Sequence, residues 1–487
     1  MNEKMTYSHK FFLVFILAAF LLFFRLGDRS FRNPDEGRYA KIAQEMTLSG
    51  DWVTPRLYGV AYLKKPILFY WLVAASFKTF GTSEWAARAV PAFFGFLGIL
   101  AAFFFAKIIF GSDTAFFSSL ILASNLFYLQ VSRYLVIDAV FSFFVVSALY
   151  SFYLGVYESK NKAKFYLLFF FLSGLAFLTK GVIAVVIPAI SIFIYAAATR
   201  KIKRVFSEMP LGPGAAVFAA VTFPWFFIIS KREPGFLSIF FLHEHLSRFV
   251  SRGFEHQEAW YFYWVFLLAV FLPWFLFPPA VKKGFYFLRD RASDDPKWFL
   301  FLSSLATILF FSLSRAKLMT YILPVVPLVS ILLADGWAKL SSSSSRRIFF
   351  IAIGLLAVVA FVFPFLMEMW NSDYTTQPFA RALSPRLKSG DTVFIYDNPG
   401  AMYDFGFYLG YPVKLVGMEG ELELSKNDPK AGGISVSHKA FEKMMGGKDK
   451  IYCLMRKSDF LGLDPAVRQK LKIMKEDDRK TLVESIP

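Results

Sequence analysis

A single cysteine, Cys453, leaves no partner for a disulfide within this 487-residue chain, so nothing in it depends on an oxidising compartment. Charge is scarce as well. Asp, Glu, Lys and Arg make up 18% of the residues, against roughly 25% in soluble proteins. No nucleic-acid-binding motif occurs, and the composition excludes collagenous, disordered and disulfide-stapled classes. What the chain has is apolar surface: 56% hydrophobic residues, 19% aromatic, and a mean hydropathy of +0.48. These residues fall in blocks of about 17 to 25, the length that crosses a bilayer core. The sequence is that of a polytopic, mainly α-helical membrane protein. Its net charge of +18 then points to cytoplasmic loops and anionic lipid before nucleic acid.

Apolar runs between polar or turn-rich breaks predict eleven spans, near 10–26, 85–109, 114–131, 135–155, 164–179, 181–198, 211–230, 260–279, 298–313, 319–334 and 348–368. The first follows a basic start (Lys4, His9, Lys10) but precedes Arg25-Leu26-Gly27-Asp28 instead of a small-residue cleavage site, and is expected to be retained. Ile67 to Phe80 is short enough to be a re-entrant or interfacial helix, so eleven is a lower count. With the N-terminus cytoplasmic, the breaks rich in Lys and Arg (158–164, TRKIKR at 199–204, 281–297 and SSSSSRR at 341–347) all face the cytoplasm. The first loop (27–84) and the segment from 371 onward are then extracytoplasmic. Short β-like runs at 391–396, 412–416 and 450–455, set between Gly, Asn and Asp, predict a small C-terminal α/β domain over 371–487, after a membrane domain over 1–370.

Each loop assigned to the outer face holds Lys or Arg close to the membrane, against the usual bias, which points to an anionic ligand on that side. In Asn33-Pro34-Asp35-Glu36-Gly37-Arg38 a helix start explains most of the motif: Asn33 as cap, Pro34 as first helical residue, Glu36 as the returning member of a capping box. Asp35 is the residue that explanation needs least. A carboxylate fixed there is a candidate general base for a hydroxyl, although an acid in a first turn also suits the helix dipole. Tyr62-Leu63-Lys64-Lys65-Pro66 reads either as an interfacial anchor or as a phosphate site in which Lys65 is the point charge.

NPDEGRYAKIAQEM, SGDWVTPRLYGVAYLKKPILFYWL and EWAARAVPAFFG together closely resemble the bacterial membrane glycosyltransferases related to aminoarabinose (lipid A) transferases and protein O-mannosyltransferases. The resemblance covers roughly 20–335, with motifs in the family's order: Asp35-Glu36, Lys65-Pro66, Arg133-Tyr134 with Asp138, Thr179-Lys180-Gly181, His245 with Arg248, and Lys317 with Tyr321. It implies a C-type membrane glycosyltransferase (GT-C) fold of about 11 to 13 transmembrane helices in the bacterial inner membrane. It also implies transfer of a sugar from a polyprenyl-phosphate carrier to a glycolipid of the lipid A type, or to a protein, on the outer face, with Asp35 as base. Glu36, Tyr62, Lys65, Arg133, Asp138, Lys180, His245, Arg248, Lys317 and Tyr321 are the implied substrate-binding residues.

The same residues carry plainer readings. Asp138 is also explained by a buried ion pair with an arginine, and Lys180 by snorkelling at a helix end. His243 and His245 diverge by about 200° on a helix and cannot share one ion. The resemblance implies a divalent metal held by the equivalent of His245 and by a glutamate directly before the Lys-Pro pair. Here Lys64 stands in that place, so the metal is left unassigned. The expected mechanism is inverting: the acceptor hydroxyl gives its proton to Asp35 and attacks the anomeric carbon opposite the phosphate, whose growing charge Lys65, Arg248, Lys317 and Tyr321 meet. The rival is a polyprenyl-lipid flippase or transporter without transferase activity, for which the sequence shows neither midplane polar residues nor internal repeats.

Overall fold

The computed structural model describes residues 6–157, 160–241, 258–289, 295–340, 342–370, 374–397, 399–417, 433–445 and 450–486. In chain order the helices of its first three quarters are α1 (Tyr7–Phe23), α2 (Asp35–Ser49), α3 (Leu68–Phe80), α4 (Glu84–Phe110), α5 (Ser112–Ala123) and α6 (Leu126–Ser132). Then come α7 (Asp138–Tyr157), α8 (Lys162–Lys180), α9 (Ile183–Ala198), α10 (Ile202–Glu208), α11 (Leu211–Arg232) and α12 (Phe262–Val270). They end with α13 (Leu272–Phe275), α14 (Pro278–Gly284), α15 (Asp295–Leu313), α16 (Val325–Ala338) and α17 (Ser343–Trp370). The chain groups into two compact units, Met1–Leu26 with Lys64–Phe69 and Arg88–Pro364, and Gly27–Leu63 with Tyr70–Ala87 and Phe365–Pro487.

The first unit is the helical bundle, and every expected span falls on one or more of its helices. Among the described residues α4, α7, α8, α11, α15 and α17 are each long and apolar enough to cross a bilayer, and the shorter α1, α3, α9 and α16 are apolar as well. The expected span 114–131 is broken: α5 and α6 meet at 66°. Its cause is local. Ser124 Oγ donates back to Leu120 O (2.7 Å), while the Asn125 side chain accepts from Tyr128 N (3.0 Å) and starts a new helix. The span 260–279 likewise divides at Pro273 and Pro278, which have no N–H to give and take the first turns of α13 and α14.

Burial separates centre from rim. Of the most apolar 18-residue window, 89% is buried in α7 but 22% in α11 and 17% in α17, so α7 is the core of the bundle and α11 and α17 face lipid. Helix α7 packs on α8, α5 on α16, and α15 on both α9 and α16. Where α14 crosses α16, a Cβ on Gly336 would lie 2.0 Å from Ala280 O, so only glycine allows that approach. At the basic ends of the helices Asp295 accepts from Tyr195 (2.6 Å), Tyr153 (3.1 Å) and Lys201 (2.6 Å), and buried Asp335 pairs with Lys297 (2.5 Å) and Lys339 (2.7 Å). The buried carboxylate of Asp335 persists because Lys297 is buried with it.

The second unit takes in most of the first loop as well as the C-terminal segment, whereas the sequence alone groups that loop with the membrane domain. A hairpin of β1 (Arg56–Leu57) and β2 (Val60–Ala61) follows α2. The C-terminal sheet has the order β5-β4-β3-β6-β8-β7, from β3 (Thr392–Tyr396), β4 (Val413–Val416), β5 (Ser435–Val436), β6 (Ile451–Arg456), β7 (Leu471–Glu476) and β8 (Lys480–Ser485). The first four strands of that order are parallel and the last two join antiparallel. Strands β3, β4 and β6 are the three expected from the sequence. Phe394, Val416, Phe441, Cys453 and Val483 form the core, and burial pushes the Cys453 thiol well up from its ordinary range.

Within this unit α2 is bound to the segment around 404. The carboxylate of wholly buried Asp404 accepts from Asn33 Nδ2, Thr375 Oγ1 (2.9 Å), Thr376 N (2.8 Å) and Thr376 Oγ1 (2.7 Å). Gly37 is required for this: a Cβ there would sit 2.6 Å from Asp404 N. Tyr58 donates to Tyr403 O (3.0 Å), and Glu45 accepts the N–H groups of Tyr58 and Gly59 (both 2.9 Å).

Candidate active site

In the second unit the motif at 33–38 is divided between two jobs. Helix α2 begins at Asp35, and the side chain of Asn33 does not cap it but reaches Asp404 and Tyr374 O (3.1 Å). Glu36 is wholly buried, accepts the backbone N–H of Arg32 (3.0 Å) and pairs with Arg29 (3.4 Å). That is the capping-box role, taken from a residue one position earlier than expected, and it leaves Arg38 to another partner. Asp35 is that partner: Arg38 Nη2 meets Asp35 Oδ1 at 2.5 Å, the i,i+3 spacing of one helix face. The Asp35 side chain is 46% exposed and that of Arg38 8%. The Arg38 guanidinium also lies 5.0 Å from the ring of Tyr39 and 5.9 Å from that of buried Tyr62. A buried arginine held between two tyrosines thus presents an accessible carboxylate at the start of a rigid helix.

In the first unit Asp138 opens α7 and Lys180 closes α8, and the two pair at 2.5 Å with side chains 11% and 12% exposed. The plainer sequence reading of Asp138 was an ion pair with an arginine, and the partner found is a lysine. Arg133 instead donates to the carbonyls of Leu21 and Phe24 (2.7 Å for the latter), the open end of α1, where a cation satisfies carbonyls that no helical N–H reaches. The Lys180 ammonium lies 4.8 Å from the ring of Tyr321 and 5.0 Å from that of Phe141, a cation between two π faces. Lys317, in the turn between α15 and the short 3-10 segment Met319–Ile322, is buried and donates to Glu258 O (2.9 Å). Burial holds its ammonium below the ordinary 10.5. Tyr263 Oη donates to Leu318 O (3.0 Å) and fixes the same turn. Lys64 and Lys65 are half-buried in the turn before α3. His245 and Arg248 lie outside the described residues. Arg38 and Tyr263 are the two residues the sequence reading did not assign to the site. The spacing of Asp35 and Arg38 was a sufficient signal for the first, and nothing local signals the second.

A metal does not fit what is present at 64. A lysine ammonium offers three donors and no lone pair, so it replaces a ligand with a charge of the ion's own sign.

The chain is similar to known proteins over most of its length. The model of the dolichyl-phosphate-mannose-protein mannosyltransferase family matches residues 64–228, which takes in Lys65, Arg133, Asp138 and Lys180. An undecaprenyl phosphate-alpha-4-amino-4-deoxy-L-arabinose arabinosyl transferase of Aeromonas salmonicida is 34% identical over 336 residues, 68% of this chain and 60% of that protein. The Aeromonas hydrophila protein of the same name is 34% identical over 71% of this chain and 65% of its own length. This chain belongs to their family. Its matches span about 60% to 65% of the length of those relatives. Among solved structures, ArnT from Cupriavidus metallidurans bound to undecaprenyl phosphate superposes with a TM-score of 0.87 over 97% of each chain at 24% identity. The oligosaccharyltransferase AglB of Archaeoglobus fulgidus, in complex with an inhibitory peptide and a dolichol-phosphate, does so at 0.54 over 92% of this chain and 69% of its own, at 14% identity. The family member described here therefore has the GT-C fold, and its likeness to ArnT extends through the C-terminal sheet as well as the bundle.

Proposed function

We propose that the protein is an integral-membrane glycosyltransferase that moves a sugar from a polyprenyl-phosphate carrier to a glycolipid of the lipid A type, or to a protein, on the extracytoplasmic face of the bacterial inner membrane. The names of its relatives support the donor class, an undecaprenyl-phosphate-linked aminosugar, and the bound undecaprenyl phosphate of a structure with the same fold agrees with it. The single observation that carries the catalytic assignment is the division of labour at 33–38: Asn33, Glu36 and Gly37 are consumed by packing and capping, while Asp35 is held by Arg38 and left accessible.

In this reading Asp35 takes the proton of the acceptor hydroxyl as its oxygen bonds to the anomeric carbon, with inversion. The bond from that carbon to the carrier's phosphate oxygen breaks, and the phosphodiester leaves as a monoester with one more negative charge. Lys65, Arg248 and Lys317 are assigned to that charge, and Tyr321 to the same group as a hydrogen-bond donor. Glu36 shapes the helix start, Tyr62 supports Arg38, and Arg133, Asp138, Lys180 and His245 complete the substrate-binding set proposed from the sequence. No nucleotide and no metal enter these steps.

The experiment is to load vesicles containing the full chain with undecaprenyl phosphate carrying 4-amino-4-deoxyarabinose, add lipid A, and measure release of undecaprenyl phosphate. Release that depends on acceptor supports a transferase. Movement of the intact carrier between leaflets without release belongs to a flippase and overturns the reading.

A further inference from the structure

The first unit contains an apolar cavity of about 350 Å³, bounded by α8, α9, α10 and α11, that the proposed chemistry does not use. A cavity of about 150 Å³ already accommodates benzene, so this one admits several methylene groups. It exists because small residues meet where large ones would fill the space: Ser173, Pro188, Ala189 and Ala215 line it. The neighbouring Phe170 is drawn aside onto Gly214, where a Cβ would lie 2.1 Å from its ring. The wall residues Phe206 and Leu211 are 44% and 48% exposed, so the cavity opens outward to lipid at its α10 end.

That end is basic. The break before and along α10 reads Thr199-Arg200-Lys201-Ile202-Lys203-Arg204. Lys201 is paired with Asp295 (2.6 Å) and Arg204 with Glu208 (3.1 Å), whereas Arg200 and Lys203 are exposed and form no ion pair among the described residues. Lys203 stands one helical turn before Phe206 at the mouth, on the same side of α10. The mouth is also far from Asp138 and Lys180. Lys162, at the start of α8, is bonded to Glu208 of α10 (2.9 Å), and Lys180 ends the same helix about 27 Å further along its axis.

We propose that this cavity is a structural lipid site, in which one acyl chain of an anionic phospholipid from the leaflet on the basic side is taken up while its phosphate rests on Arg200 and Lys203. Charge complementarity selects the occupant: an apolar slot between spans, with a cationic rim at the headgroup level, fits a lipid with net negative charge better than a zwitterionic one.

The test is native mass spectrometry on the delipidated full chain, titrated with dioleoyl phosphatidylglycerol or dioleoyl phosphatidylcholine. One phosphatidylglycerol should be retained, with at least a fivefold preference over phosphatidylcholine. The R200Q/K203Q variant, both positions exposed and outside the packed core, should remove that preference, and Ala215→Phe should remove retention altogether. Ala189→Leu serves as a second filling variant if Ala215→Phe alters the melting temperature. Equal retention of the two lipids, or retention indifferent to both the charge and the filling variants, overturns the proposal. So does displacement of bound phosphatidylglycerol by undecaprenyl phosphate at equimolar ratio, which would make the cavity a seat for the carrier's tail.

Discussion

Two acid-base pairs stand among the candidate residues, and they are built in opposite ways. Asp35 and Arg38 come from one turn of one helix, with the acid nearly half exposed and the base buried. Asp138 and Lys180 come from the ends of different helices, with both side chains only 11% to 12% exposed and two aromatic rings near the ammonium. The first arrangement leaves a carboxylate able to exchange a proton with whatever approaches it. The second satisfies two charges that the low-dielectric interior would otherwise penalise, and ties α7 to α8 at the same time. An acid beside a base thus gives an accessible carboxylate in one place and a tie between two helices in the other, and the difference lies in exposure.

The comparison breaks most sharply at Asp35. Asp35→Asn should lower transfer by about 10²- to 10⁴-fold, the usual worth of a general base, with a smaller drop in melting temperature than at the buried pair, because the lost charge is half exposed and the neighbours that dock α2 are untouched. Initial rates of undecaprenyl phosphate release beside a thermal melt measure both. An active variant would move the base elsewhere. The opposite pattern is expected at the buried pair. Asp138→Asn leaves a lysine charge uncompensated and should destabilise the bundle by about 3 kcal/mol, whereas the double variant D138N/K180M should recover most of that loss. If the double variant is as unstable as the single one, the pair is not what links the two helices.

The second unit offers a control that has stability but no proposed chemistry. Four donors converge on the buried carboxylate of Asp404. In Asp404→Asn a donor replaces one of the acceptor oxygens, and the cost should be about 2 kcal/mol. Proteolysis within 27–63 should accelerate in that variant if α2 depends on this anchor.

How much of this was legible in the sequence follows from how far apart the partners lie. The spans were visible because each is a continuous apolar run, and the breaks within them were not, because a capping Asn125 or a Pro273 acts only once a helix is assumed. The pairing of Asp35 with Arg38 was readable from its spacing of three. The partner of Asp138 was not legible because Lys180 is 42 residues on, while the nearby Arg133 closes a helix 112 residues back. Asn33 looked like a helix cap since its real partner, Asp404, is 371 residues away. Strand β7 was missed for another reason. It is the edge strand of the sheet, carrying Lys472, Lys475 and Glu476, and charge on an edge blunts pairing with other chains while hiding the strand's periodicity.

The smallest expected effect concerns Lys317, which shares features of both pairs: withdrawn from solvent like Lys180, yet in no ion pair with a carboxylate among the described residues and proposed to meet the carrier's phosphate. Because burial depresses its proton affinity below the ordinary 10.5, the ammonium is present well below that depressed value and is lost as pH rises through it. Affinity for undecaprenyl phosphate, measured by titration of the full chain in detergent, should therefore begin to fall at a lower pH than an exposed lysine would give, and by a few-fold. Lys317→Arg keeps its charge throughout this range and should shift the decline upward. If the wild-type protein and this variant lose affinity at the same pH, the charge that holds the phosphate is not on Lys317. The turn it occupies would then be structural, fixed by the donation of Lys317 to Glu258 O and of Tyr263 to Leu318 O.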